Sequence, residues 1–194
     1  MQKRKYLLIL TIAFLSVYII RTSIINIDWV ASGSMLPRFD VNSRIVSNQL
    51  AYGLNFPASN ELWLQWLTPK RGEIILFRNP NDQYHVWMKR VIGLPNDIIE
   101  FKDHHLYINH VLCSPKDRYH EKLLRRDKSF SEDFRIWSSY LEKDWGPITV
   151  GEGELFLMGD NRGSSLDSRT WGTIPQKYLI GKVLAQVWPL PNFR

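Results

Sequence analysis

The stretch His85-Val-Trp-Met-Lys-Arg-Val-Ile-Gly-Leu-Pro95 is rich in β-branched and aromatic residues and closes on a Gly-Leu-Pro turn. That composition predicts a strand. Alternation along a strand puts Trp87, Lys89 and Val91 on one face and Met88, Arg90 and Ile92 on the other. A lysine set between Trp and Val on an apolar face loses its water, and desolvation disfavours the ammonium form. A neutral amine at that position could take a proton. The competing expectation is a lysine that snorkels from a half-exposed strand, its charge in solvent. Arg90 is no candidate base, because guanidinium does not deprotonate in proteins.

Working outward, further strands are expected at Arg44–Ser47, Glu73–Arg78, Ile98–Phe101, Leu106–Ile108, Leu155–Met158 and Ile180–Val187. Pro69-Lys-Arg-Gly72 and Asn79-Pro-Asn-Asp82 separate them as turns. Many short strands between turn signals predict a mostly-β domain. Residues 50–68 hold Tyr52, Phe56, Trp63 and Trp66. They suit either a hairpin packed on the core or one that dips into a membrane surface, where Trp and Tyr are favoured. Residues 113–145 carry 8 cations and 7 anions with few aliphatics before Phe130, the composition of an inserted surface segment.

The chain has 194 residues and a formal net charge of +6. Such an excess suggests a nucleic-acid partner only if it lies on the folded body. It does not. Residues 1–21 hold Lys3, Arg4, Lys5 and Arg21 with no acid, and the other 173 residues carry a net charge of only +2. No nucleic-acid partner is therefore expected. The three early cations precede an apolar run of 15 residues, Tyr6–Ile20. Basic residues beside such a run stay cytoplasmic, so the body is expected outside. The length fits a cleaved secretory signal, whereas a retained anchor must continue through Arg21 to Ile27, because a span needs about 20 residues. One cysteine, Cys113, excludes an intrachain disulfide framework and a Cys-rich zinc site.

Two further segments could carry chemistry. Ser32-Gly33-Ser34-Met35 is a tight turn of small residues, able to display a serine and equally able to be an ordinary polar loop. It lacks the G-x-S-x-G pattern of an α/β-hydrolase. Met158-Gly-Asp-Asn-Arg-Gly-Ser-Ser-Leu-Asp-Ser-Arg-Thr-Trp-Gly172 follows a strand and is dense in Gly, Asp, Asn and Ser. Its spacing matches no calcium loop, and Asp167 and Arg169 are placed to form an ion pair. Four of the five histidines, His85, His104, His105, His110 and His120, fall in turn-like or charged stretches, which suits solvated side chains.

Together these segments resemble the type I signal peptidases, membrane-anchored Ser/Lys proteases. The resemblance runs through Ile20-Arg-Thr-Ser, Ala31-Ser-Gly-Ser-Met-Leu-Pro37, Tyr52-Gly, Pro69-Lys-Arg-Gly-Glu-Ile-Ile-Leu-Phe77, Met88-Lys-Arg-Val-Ile-Gly-Leu-Pro-Asn-Asp97, Gly159-Asp-Asn-Arg and Ser165-Leu-Asp-Ser-Arg-Thr-Trp-Gly172. It implies Ser34 as nucleophile and Lys89 as general base. The Ser34 N–H and the Ser32 hydroxyl would form the oxyanion hole. Ser165 would orient Lys89, and Asp167 with Arg169 would brace that loop.

The resemblance also implies a retained anchor over 6–27 behind a cytoplasmic 1–5. The body, 28–194, would be a signal-peptidase-like β catalytic domain outside a bacterial inner membrane, with an insertion at about 102–150. No cofactor or metal is implied. The partners would be signal-peptide-bearing preproteins and the lipid bilayer. Three departures stand out: Asn96 where Gly is usual, Ala31 where Pro is common, and a lone Cys113. Three alternatives remain: a related peptidase dedicated to conjugation or pilin maturation, a non-catalytic membrane-tethered domain that binds exported peptides, and a His-based serine hydrolase.

Overall fold

A computed structural model describes residues 4–6, 9–12, 24–55, 61–103, 105–113 and 144–189. Among them thirteen strands run, in chain order, β1 (Ile25–Trp29), β2 (Arg44–Asn48), β3 (Gly53–Asn55), β4 (Leu62–Gln65), β5 (Ile74–Asn79), β6 (Asp82–Gly93), β7 (Ile98–Lys102), β8 (His105–Ile108), β9 (Val111–Leu112), β10 (Trp145–Thr149), β11 (Glu154–Met158), β12 (Ile174–Pro175) and β13 (Leu179–Trp188). The mostly-β expectation holds. Seven strands form one sheet in the order β1-β2-β13-β5-β6-β11-β12, four form a second in the order β10-β7-β8-β9, and β3 and β4 form a hairpin.

The two strands that matter most to the site are apolar on both faces. In β5, Ile75 and Phe77 enter one buried cluster while Ile74 and Leu76 enter another. In β11, Leu155 and Leu157 join the first cluster, and Phe156 and Met158 join a third with Ile99, Phe101 and Val150. Continuous apolar runs are what a strand covered on both sides requires. β6 lies between β5 and β11, in register Ile75↔Lys89 and Leu157↔Val91. Its end bends where Gly93 meets a bulge in β11; a Cβ there would lie 2.8 Å from that of Phe156. Asn96, in the position where Gly is usual, adopts φ 69°, a left-handed conformation that Asn tolerates.

Two stretches bear on the expected boundaries, the N-terminal segment and the insertion at about 102–150. Residues 4–6 and 9–12 are helical, but among the described residues no helix is long and apolar enough to cross a membrane. Most of the expected anchor, 7–8 and 13–23, lies outside them. Its expected end at Ile27 overlaps β1, which pairs in register with β2 from Ile25↔Asn48 to Trp29↔Arg44. The pattern of β1 is inverted: Asn26 and Asp28 point inward, joined to each other and to Ser47, while Ile25, Ile27 and Trp29 face out. Within the expected insertion, β8, β9 and β10 belong to the second sheet; residues 114–143 lie outside the described set.

The β3–β4 hairpin divides the two expectations for residues 50–68. Tyr52 is buried and donates to Glu73 at 2.8 Å, so the hairpin base is core. Trp63 is 74% exposed, and Leu64, Trp66 and Leu67 are exposed with it.

Candidate active site

Ser34 lies in a single 3-10 turn, Gly33–Met35, a few residues beyond β1. The turn is anchored by Met35, fully buried with Val30, Phe39 and Ile45. That leaves Ser34 half-buried and Ser32 exposed, with the Ser32 hydroxyl donating to the Ser34 hydroxyl at 3.3 Å. The turn packs against β6 on one side and against the loop after β11 on the other.

Lys89 sits in the middle of β6 and is 1% exposed. It does not snorkel. Its ammonium nitrogen lies 5.6 Å from the centroid of the Trp87 ring, which meets Trp171 edge-to-face at 5.1 Å. Among the described residues it forms no hydrogen bond or ion pair. Burial lowers its pKa to about 8, although Asp167 and Asp160 pull in the opposite direction. Their pull is limited because each carboxylate already holds a guanidinium. Arg169 meets Asp167 through two bonds, at 2.7 and 2.9 Å. Arg90 meets Asp160 through Nε at 2.6 Å and again through Nη2, and both side chains are buried. Lys89 is thus left without a counterion of its own.

The loop after β11 is tied down at several residues. Burial by itself would raise the Asp167 carboxyl, but the bonds from Arg169 and from the Gly159 N–H more than offset this and hold it low. Asp167 also caps the helical turn Ser168–Trp171. Arg169 reaches back to the Ser165 carbonyl at 3.2 Å. The Ser165 hydroxyl is buried; it meets no partner at strict hydrogen-bond geometry but lies close enough to the Asp167 carboxylate to help hold it low. Gly159 is required by space: a Cβ there would fall 2.1 Å from Ser165 Oγ and 2.5 Å from the Ser34 carbonyl oxygen.

The structure therefore brings Ser32 to Ser34, and Asp167 to Arg169, and sets the Ser34 turn against both the Lys89 strand and the 159–165 loop. It forms no hydrogen bond from Lys89 to Ser34 or to Ser165. Sequence reasoning missed Arg90, Asp160 and Asn161. Their signal was adjacency: Arg90 follows Lys89, and Asp160 and Asn161 follow Gly159. Nothing local could pair two residues 70 apart. Among the described residues no cluster of His, Cys, Asp and Glu could hold a metal. His85 is exposed and bound to Asp82 at 2.9 Å.

A half-buried serine turn thus packs against the strand that carries a buried lysine without a counterion. The family profile described as signal peptidase, peptidase S26, matches residues 3–188. The chain belongs to this family and is a signal peptidase. It is 30% identical to signal peptidase I of Pseudomonas aeruginosa, over 91% of this chain and 72% of that protein. It is 31% identical to signal peptidase I P of Bacillus subtilis subsp. natto, over 94% of this chain and 88% of that protein. Among solved structures, a signal peptidase I from Enterococcus faecalis V583 aligns with 61% of this chain and 98% of that one, at 31% identity and a TM-score of 0.43.

Proposed function

We propose that the chain removes signal peptides from exported preproteins with Ser34 as nucleophile and Lys89 as general base. The observation that carries this is the burial of Lys89 without a counterion on a strand against which the Ser34 turn packs. The neutral amine takes the Ser34 proton as Oγ attacks the scissile carbonyl carbon. Charge then develops on the carbonyl oxygen, within reach of the Ser34 N–H and, after rotation about its C–O bond, the Ser32 hydroxyl. The ammonium of Lys89 returns its proton to the departing amine of the mature protein. A water, deprotonated by the same lysine, attacks the ester and frees the signal peptide.

Ser165, buried on the loop that packs against the Ser34 turn, would steady the amine. Asp167 and Arg169 hold its loop. Small side chains at the first and third positions before the cut, and an extended substrate paired to a strand edge, follow from family membership.

Detergent-solubilised protein incubated with a preprotein tests this directly. The wild type yields a product whose N-terminus begins at the mature residue, and Ser34→Ala yields none. Ser34→Ala also fails to form the covalent adduct that a penem gives with the wild type. Cleavage by Ser34→Ala would overturn the assignment.

The same reading makes the chain a single-pass protein of a bacterial inner membrane, its cationic N-terminus inside and its β domain outside. Support comes from the charge asymmetry of residues 1–21 and from the apolar groups left exposed: Trp63, Leu64, Trp66 and Leu67 on the hairpin, and Ile25, Ile27 and Trp29 on β1. Trp at such a surface favours the headgroup layer. In vesicles, lipids brominated along the acyl chain should quench part of the tryptophan emission. Trp63→Phe with Trp66→Phe should reduce the quenched fraction. Unchanged quenching would take the hairpin out of the membrane.

A further inference from the structure

We propose that Asn161 is a positioning residue which aims the Ser34 N–H at the developing oxyanion by clamping the carbonyl of the same peptide unit. The inference rests on Ser34 being the nucleophile and its N–H an oxyanion donor. The peptide that carries the Ser34 N–H also carries the Gly33 carbonyl. A peptide unit is planar and trans, so its N–H and C=O point in opposite directions and turn together. Whatever holds the Gly33 oxygen therefore fixes where the Ser34 hydrogen points.

Two donors hold that oxygen. Leu36 N–H reaches it at 3.2 Å from within the turn, and Asn161 Nδ2 reaches it at 2.9 Å from the loop after β11. Asn161 makes a second bond from its backbone, donating its N–H to the Ser34 carbonyl at 3.0 Å. Consecutive carbonyls on either side of the nucleophile are thus tied to one residue. The first N–H groups of a helical turn have no acceptor within the turn. With both neighbouring carbonyls drawn toward Asn161, the Ser34 N–H is left pointing away from it, free for a ligand. Gly159 makes the approach possible, since any Cβ there would lie 2.5 Å from the Ser34 oxygen.

Asparagine suits the task in a way its neighbours in size do not. Its amide supplies a donor to Gly33, whereas an aspartate at the same place would set an acceptor against an acceptor while keeping the backbone bond. Loss of an oxyanion donor costs about 10²–10³ in kcat, so a donor that remains but is misdirected should cost roughly 10–100-fold.

The test compares full-length wild type, Asn161→Asp, Asn161→Ala and Ser34→Ala in detergent. Asn161→Asp and Asn161→Ala should lower kcat roughly 10–100-fold with KM within about twofold. A substrate-like peptide aldehyde adds Ser34 Oγ to its carbonyl carbon and places negative charge on the former carbonyl oxygen. Its affinity should fall by the same factor as kcat. The matching peptide alcohol, which cannot be attacked, should bind as tightly as to the wild type. A merely structural role would weaken both ligands together or lower the unfolding midpoint without separating them. Wild-type kcat in either folded Asn161 variant, or equal losses for aldehyde and alcohol, would overturn the inference while an inactive Ser34→Ala left the nucleophile in place. Cleavage by Ser34→Ala would instead remove the reading beneath it.

Discussion

Lys89→Arg should leave preprotein cleavage at least about 10³-fold below wild type, even though it keeps the charge and nearly the length of the side chain. The reason is proton affinity. A base at this position must be neutral for part of the time, and a guanidinium is not. Lys89→Met should be equally inactive but should fold normally, because it puts an unbranched apolar chain into a site that is 1% exposed. In the wild type, burial lowers the Lys89 pKa to about 8. Below that pH the amine is protonated and cannot accept from Ser34, so kcat/KM should rise with pH and level off above about 8. At pH 7 roughly one lysine in ten would be neutral, against roughly one in a few thousand for an unperturbed lysine. Preprotein cleavage assayed from pH 6 to 10, beside the two variants, checks all of this. Substantial turnover by Lys89→Met, or a rate that falls as pH rises from 6 to 8, would remove Lys89 from the chemistry.

Asp160→Ala should destabilise the fold by about 3–5 kcal/mol, more than any other single change proposed for the loop after β11. It leaves Arg90 buried with its charge unanswered. Arg90 holds Asp160 through two bonds and the Gly72 carbonyl through a third, at 2.8 Å, and is 5% exposed. Removing one member of such a pair costs far more than the pair is worth, because the partner keeps its desolvation penalty. Replacing both, as in Arg90→Met with Asp160→Leu, should therefore recover much of the loss. Denaturant unfolding of the single and double variants gives the comparison. A single variant within about 1 kcal/mol of wild type would show that the pair is not desolvated in solution.

The residues legible in the sequence were those whose relation is local. The face of β6 shared by Trp87, Lys89 and Val91 follows from a period of two. Asp167 and Arg169 are two apart in a loop rich in capping residues, and their ion pair could be anticipated. The Arg90–Asp160 and Asn161–Gly33 contacts could not: the first depends on β6 lying beside β11, and the second joins the turn after β1 to the loop after β11, 128 residues on. β1 was obscured for a different reason. Its outward face is the apolar one, and its inward polar pair is satisfied by Ser47 of the neighbouring strand. An apolar stretch that serves as a sheet edge with its oily side out reads, in one dimension, as the tail of a membrane segment. The exposed tryptophan of β4 was ambiguous for the same reason: exposure depends on what the opposite face finds to cover.

The two-sided packing of β11 has a consequence for motion. Leu155 and Leu157 are locked into one core and Phe156 and Met158 into another, and the next residues are Gly159, Asp160 and Asn161. To swing that loop away from the serine, the strand behind it would have to leave both cores at once. The free energy of such an opening therefore lies near that of unfolding the whole domain. The β3–β4 hairpin, with its outer strand largely in solvent, can fray by itself. Rigidity is concentrated beside the Ser34 turn, and compliance in the hairpin that carries the exposed Trp63 and Leu64.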